Sequence, residues 1–260
     1  INWLAPHFAD KEGNLIMSVH ALVVETPTRK MIVDTCIGND KQRSVPNWTN
    51  LQLPFLEDLS KAGYETHEID TVMCTHLHVD HVGWNTMLVD GKWIPTFPNA
   101  RYLMGKTEYE YWDKAEADKP ESDKAPDELN QGVMGDSVRP VFDAGLVDLV
   151  EMNHSVCDEV FLEPTTGHTP GHVSIHIQSE GEEALITGDC IHHPCQIEHL
   201  DWASSADFDQ TASTATRVEL MEKYVDSDIL IIGTHFATPT AGHLKRKADG
   251  GAGYWLDTDL

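Results

Sequence analysis

Apolar residues in this chain gather in short runs bounded by Gly, Pro and polar clusters, a pattern that predicts strands. Strands are expected at residues 19–25 and 31–34, joined as a hairpin through Thr26-Pro27-Thr28. Further runs predict strands at 69–75, 101–104, 147–151, 160–164, 173–178, 184–187 and 229–232, the last being the most hydrophobic. Helical patterns lie between them at 53–62, stopped by Gly63, at 107–117, and at 137–144, closed by Gly145. The longest predicted helix covers 208–225, with Asp207 as its candidate N-cap. Strands in two clusters with interposed helices imply an α/β protein, and 260 residues suit a single domain, 1–260, around one core.

Composition narrows the partners. Hydrophobic residues make up 40% of the chain, enough for a core. No segment approaches the roughly 20 apolar residues of a membrane span, so no membrane partner is expected. With 43 acidic against 18 basic residues the net charge is −25, which argues against nucleic acid, whose phosphates call for the opposite sign. The one basic run near the C-terminus, Lys245-Arg246-Lys247, reads as a solvated cluster, and residues 113–130 read as a surface excursion or lid. Cysteines at 36, 74, 157, 190 and 195 are odd in number and unpaired in spacing, the usage of a cytoplasmic protein with reduced thiols. The chain begins with Ile1, which leaves a removed leader open.

Candidate chemistry concentrates in His76-Leu77-His78-Val79-Asp80-His81, directly after the strand predicted at 69–75. Imidazole nitrogens and carboxylate oxygens are the ligands divalent zinc prefers, with iron and manganese as competitors. In extended chain His76 and His78 point the same way and can grip one ion together. Asp80 and His81 follow where the chain turns and can face a second ion. Three later segments each end a predicted strand with another donor: Thr166-Gly167-His168-Thr169-Pro170-Gly171-His172, Gly188-Asp189 and Gly233-Thr234-His235. Small residues beside each donor let the backbone turn sharply.

In this order, HxHxDH, GHTPGH, GD and GTH resemble the metallo-β-lactamase superfamily. The resemblance implies an αββα sandwich of two mixed β-sheets flanked by helices. It implies that His76, His78 and His168 hold one metal, that Asp80, His81 and His235 hold a second, and that Asp189 bridges them. The oxygen-reducing diiron branch carries a glutamate where this chain has His78, so a binuclear hydrolytic centre is the branch implied. Two divalent ions, Zn2+ ahead of Fe2+, Mn2+ or Co2+, would share a water and lower its pKa so that hydroxide attacks a carbonyl or phosphoryl centre. Asp80 would bind the second metal and orient that nucleophile. A homodimer is implied by the same resemblance.

Substrate class rests on finer detail. N-acyl-homoserine lactonases carry a tyrosine three positions after the bridging aspartate, whereas this chain has His192. Asp-x-x-His instead resembles the methyl parathion hydrolase-like group, which implies a lactone or carboxylic ester substrate with promiscuous phosphotriester turnover. His192 then either donates to the developing oxyanion or packs beside the metals. His172 either orients a ligand or is structural. Trp84 and Phe236 are either walls of the substrate pocket or core. Cys74, in a predicted buried strand, is expected to be a small hydrophobe, and Cys190, beside Asp189, is either a ligand or redox-sensitive group or a bystander. Glyoxalase II-like thioester hydrolysis and β-lactam hydrolysis are rival uses of the same metals, and a non-catalytic metal-binding regulatory protein is the rival of a different class.

Overall fold

The protein is described by a computed structural model covering residues 3–117, 130–247 and 253–259. Its chain divides into two compact units, His20–Glu151 on one hand and Ile1–Val19 with Met152–Leu260 on the other.

The unit His20–Glu151 is built on a five-stranded sheet. Strands β1 (Leu22–Glu25) and β2 (Lys30–Val33) form the expected hairpin, and β3 (Thr71–Met73) pairs parallel with β2. A second hairpin, β4 (Thr86–Val89) and β5 (Lys92–Pro95), stands apart as its own two-stranded sheet. Its turn is Asp90-Gly91, with φ of 50° and 76°, the backbone a tight hairpin turn requires. The sequence pattern did not anticipate this hairpin, although Asp-Gly was its signal. β6 (Arg101–Gly105) and β7 (Val147–Val150) complete the main sheet in the order β1-β2-β3-β6-β7. All three residues of β3 are buried, as expected of a central parallel strand covered on both faces.

Helices α1 (Phe55–Lys61), α2 (Lys106–Ala117) and α3 (Arg139–Asp143) supply the rest of this unit's core. Leu59, Trp112 and Val141 pack with Ile32, Val72, Tyr102 and Met104. The helix expected at 137–144 begins as a wider turn, Met134–Val138, which passes into α3. Residues 118–129, most of the expected excursion, lie outside the described residues.

The other unit carries a six-stranded sheet. Strands β8 (Val160–Pro164), β9 (Val173–Ser179) and β10 (Glu182–Ile186) form an antiparallel run, and β11 (Leu230–Ile232) pairs parallel with β10. Two strands that the pattern missed, β12 (Ala241–Arg246) and β13 (Tyr254–Asp257), extend the sheet antiparallel beyond β11. A parallel pair needs a crossover, here made by a short helix α4 (Cys195–Glu198) and a long one, α5 (Gln210–Tyr224). Leu220 and Met221 of α5 pack on Leu185 and Ile231.

Asp207 is not the cap of α5. Asp209 is: its side chain accepts from Thr211 N and Ala212 N. Both aspartates precede the helix, and Asp207 is drawn elsewhere. The basic run near the C-terminus is partly tied down, with Arg246 on Asp226 and Lys247 on Glu198.

Candidate metal centre

In the unit His20–Glu151 the donors lie on the turn that follows β3. Asp34, one residue beyond β2, organises them. Its φ is 55°, a left-handed conformation that aspartate tolerates better than most residues. From there Oδ1 accepts from Thr75 N at 2.8 Å, and Oδ2 accepts from Thr75 Oγ1 at 2.9 Å and from His81 Nδ1 at 2.8 Å. Because the Thr75 hydroxyl donates to Asp34, it accepts from His76 Nδ1, 3.0 Å away. One carboxylate therefore sets the tautomer of two imidazoles, so that Nε2 of each is the nitrogen that could ligate a metal. The His76 ring lies 4.6 Å from that of His78 and 4.1 Å from that of His81. Asp80 Oδ1 is 3.7 Å from His81 Nε2.

The loop is pinned at its middle. Leu77 N donates to the buried Glu108 of α2, which also accepts from Trp112 Nε1, and Asn130 Nδ2 donates to Leu77 O. Gly83 closes the loop because nothing larger fits. A Cβ there would lie 1.9 Å from the carbonyl of Ile37, while Gly83 N donates to Cys36 O at 2.7 Å.

The second unit presents its donors around Asp189, in the turn after β10. His172 holds that residue in place: its Nε2 accepts from Asp189 N at 2.8 Å, which puts the ring proton on Nδ1, facing Thr165 O at 2.9 Å. His172 thus bonds the backbone of Asp189 directly. His168 Nδ1 donates to Asp207 Oδ1 at 2.9 Å, and its Nε2 lies 3.3 Å from Asp189 Oδ2. His235 Nδ1 donates to Ser18 O at 2.8 Å, and its Nε2 lies 3.2 Å from Asp189 Oδ1. His192 Nε2 is 3.3 Å from Asp189 Oδ2, and burial pushes its imidazole down to about 3 against the pull of Asp189, so the ring is neutral. Gly167 allows the His168 turn to lie against α5, since a Cβ there would meet Ser213 N at 2.2 Å.

This donor set fits divalent cations. With Nδ1 donating to Asp207 or Ser18, a neutral His168 or His235 turns a lone pair toward a carboxylate oxygen, acceptor facing acceptor. Such an arrangement is repulsive until positive charge stands between the two atoms. Ligand atoms at about 2.0–2.1 Å from a tetrahedral zinc are separated by about 3.3–3.4 Å. The three contacts of Asp189, at 3.3, 3.3 and 3.2 Å, lie at or just below that spacing.

Other candidates fall elsewhere. Phe236 is fully buried in its unit's core, edge-on to Phe8 at 6.3 Å. Trp84 is buried and stacked on Phe55 at 5.2 Å. Cys190 is buried, donates to Thr187 O at 3.2 Å, and burial pushes its thiol up to about 12, so it is a small core residue. Among the described residues all five cysteines are free thiols. No helix among them is long and apolar enough to cross a membrane. Arg217, which sequence reasoning passed over, is fully buried on α5 and donates to Cys190 O at 2.9 Å and Leu200 O at 3.1 Å, tying down the turn that carries Asp189.

Imidazole and carboxylate donors at strand ends, with His76, His81, His168 and His235 each oriented by a partner, fit the α/β class of metal-dependent hydrolases. The sequence profile of the metallo-beta-lactamase superfamily matches residues 16–236, and the chain belongs to that superfamily and has its fold. AidC, a dizinc quorum-quenching lactonase solved with an N-hexanoyl-L-homoserine product, is 26% identical, with a TM-score of 0.73 over 94% of this chain and 80% of that one. The hydrolase AbOPH is 23% identical, with a TM-score of 0.78 over 97% and 83%. An N-acyl homoserine lactone hydrolase with N-hexanoyl-L-homoserine at its catalytic metal centre is 23% identical, with a TM-score of 0.56 over 81% and 78%. No curated protein matches the chain.

Proposed function

We propose that the protein is a two-metal hydrolase that opens lactones or carboxylic esters. The observation that carries this is the divided use of Asp189, whose Oδ2 faces His168 and whose Oδ1 faces His235. A carboxylate that offers each oxygen to a different imidazole is what a bridge between two ions requires. On this reading His76, His78 and His168 hold the first ion, Asp80, His81 and His235 the second, and Asp189 both.

Zinc suits these donors best, with Fe2+, Mn2+ and Co2+ as competitors. When bound, the ions polarise the substrate oxygen and bring the pKa of a water toward 7. Everything else falls to the protein. Asp80, with one oxygen toward His81, offers the other to hold the nucleophile's proton and aim it. Asp34 and Asp207 keep the ligating rings in one tautomer. The buried rings of Trp84 and Phe236 act from behind, fixing the turns that bear His81 and His235.

The lactone or ester class is favoured by the likeness to AidC, whose product is an acyl-homoserine. Phosphotriesters would be turned over as promiscuous substrates, because the same charge arrangement suits a phosphoryl oxygen. The deciding experiment is kcat/KM of metal-loaded protein on an acyl-homoserine lactone, a simple lactone, an aryl ester, an aryl phosphotriester, a glutathione thioester and a β-lactam. A lactone or ester leading by about tenfold or more is the expected result, a margin that begins at the weak end of what a pocket gains from one methylene. A leading thioester or β-lactam would overturn the substrate class. No turnover of any of the six, with two ions bound, would make the protein a metal-binding one.

A further inference from the structure

Asp189 has a third imidazole neighbour that the seven-residue donor set leaves without a role. His192 follows the turn Gly188–Cys190, and its backbone N–H donates to Gln196 Oε1 at 2.7 Å. Gln196 in turn donates to Trp202 O at 2.7 Å, so the backbone of His192 is tied to a side chain that is itself held in place. The ring stands edge-on to His168 at 4.7 Å and parallel to His235 at 6.0 Å. These contacts bring its Nε2 to 3.3 Å from Asp189 Oδ2, the same separation that His168 Nε2 has from that oxygen. The donor atoms of His168, Asp189 and His192 all lie within 4.8 Å of one another.

We propose that His192 is a metal ligand, joining His168 and Asp189 Oδ2 around the first ion, and not a donor to the substrate's oxyanion. The inference rests on the two-metal reading above. Two nitrogens equidistant from one carboxylate oxygen, each at 3.3 Å, are placed to share a cation with it, and His192 would make the first ion five-coordinate beside His76, His78, His168 and Asp189. An oxyanion donor would instead need its proton on Nε2 and that N–H turned toward the substrate, whereas this nitrogen is turned to Asp189.

His192 also differs from its neighbours. Nδ1 of His168 is held by Asp207 and that of His235 by Ser18 O, but His192 Nδ1 is buried with no hydrogen-bond partner among the described residues. An imidazole whose second nitrogen has no acceptor is a less basic ligand. His192 is therefore the donor that tightens the first ion while remaining the easiest to displace.

The test compares wild-type protein with His192→Ala and with His192→Phe, which keeps a ring for the stacking but removes both nitrogens. Zinc is titrated against a chromophoric chelator, and the visible bands of the cobalt-loaded protein are recorded, with circular dichroism to show that each variant is folded. The expected result is two ions in wild type and, in both variants, one ion loosened by about 10–100-fold, as for other changes around a ligating histidine. The cobalt bands should shift with it, and added imidazole should restore them in the alanine variant. Unchanged affinity and unchanged bands in both folded variants would overturn the proposal, even if turnover fell. Wild-type protein that binds a single ion would overturn the two-metal reading, while the His192 comparison would still stand or fall at that ion. Wild-type protein that binds none would overturn both.

Discussion

On the proposed two-metal reading, two buried carboxylates, Asp34 and Asp207, decide how well the imidazoles bind metal. Asp34 fixes His81 directly and His76 through Thr75, and Asp207 fixes His168. Removing either partner leaves the ring free to rotate and lowers its basicity. Asp34→Ala and Asp207→Ala should each lower the affinity for one ion by about 10–100-fold, read by competition with a chelator. Asp207→Asn keeps an acceptor without the charge and should fall between Asp207→Ala and wild type. If all three variants retained metal as wild type does, orientation by these carboxylates would be unimportant. Neither role is visible in the chain itself. Asp207 reads there as a helix cap, because an aspartate just before a helical pattern fits that role, and only the fold shows the cap to be Asp209.

At the scale of elements, the turns that carry the donors are held by close contacts. Gly83→Ala would force its new methyl against the Ile37 carbonyl. The expected cost is about 1–3 kcal/mol, as for other overpacked sites, seen as a lower urea midpoint. Arg217→Leu would leave the buried carbonyl of Cys190 unpaired, at about 1–3 kcal/mol, and would also remove the half-buried bond to Leu200 O. That variant should lose metal affinity together with stability, because the same carbonyls hold the Asp189 turn.

A separate cluster joins β8, β9, β10 and α5. His176 lies between Glu163 and Glu183, at 3.3 and 2.9 Å, while Lys223 and Tyr224 also donate to Glu163. The hydrogen bond to Glu163 raises the His176 pKa, against burial and with help from Glu183. Burial works to raise the Glu163 pKa, but the bonds from His176, Lys223 and Tyr224 outweigh it and hold the carboxyl down to about 2. The Glu163 contribution is therefore complete above the unfolded value of 4.5 and is lost as pH falls through about 2. The His176 contribution is complete below its unfolded value of 6.5 and is lost as pH rises through the raised one. The urea midpoint of wild type should consequently fall at both ends of that range, and Glu163→Gln should flatten both slopes. Parallel profiles for the two proteins would show that the cluster adds nothing.

For the molecule as a whole the dominant quantity is a net charge of −25. Self-repulsion of this size favours the expanded state, and salt screens it. Thermal stability should rise from low salt toward about 1 M, where the Debye length is about 3 Å. A Tm that stayed flat or fell would mean that attractive pairs such as Arg101–Asp148 and Arg139–Glu116 outweigh the repulsion. Bound cations oppose the same charge locally, so metal-loaded protein should respond less to salt than apo protein.

The chain by itself determined which atoms are available as donors and where they fall relative to the strands. Donor type is a property of the side chain, and a motif such as HxHxDH after an apolar run fixes local geometry within a few residues. It also marked nine strands, some as continuous apolar runs such as residues 229–232 and some by alternation as in Val173–Ser179. It did not mark β4, β5, β12 and β13, whose partly exposed residues mix polar and apolar side chains. What only the tertiary structure decided is how the donors are held: Asp34 to His81 across 47 residues, Asp207 to His168 across 39, Ser18 to His235 across 217. Hydrogen bonds between residues so far apart leave no periodicity behind, because the fold, and not the spacing, brings them to within 3 Å.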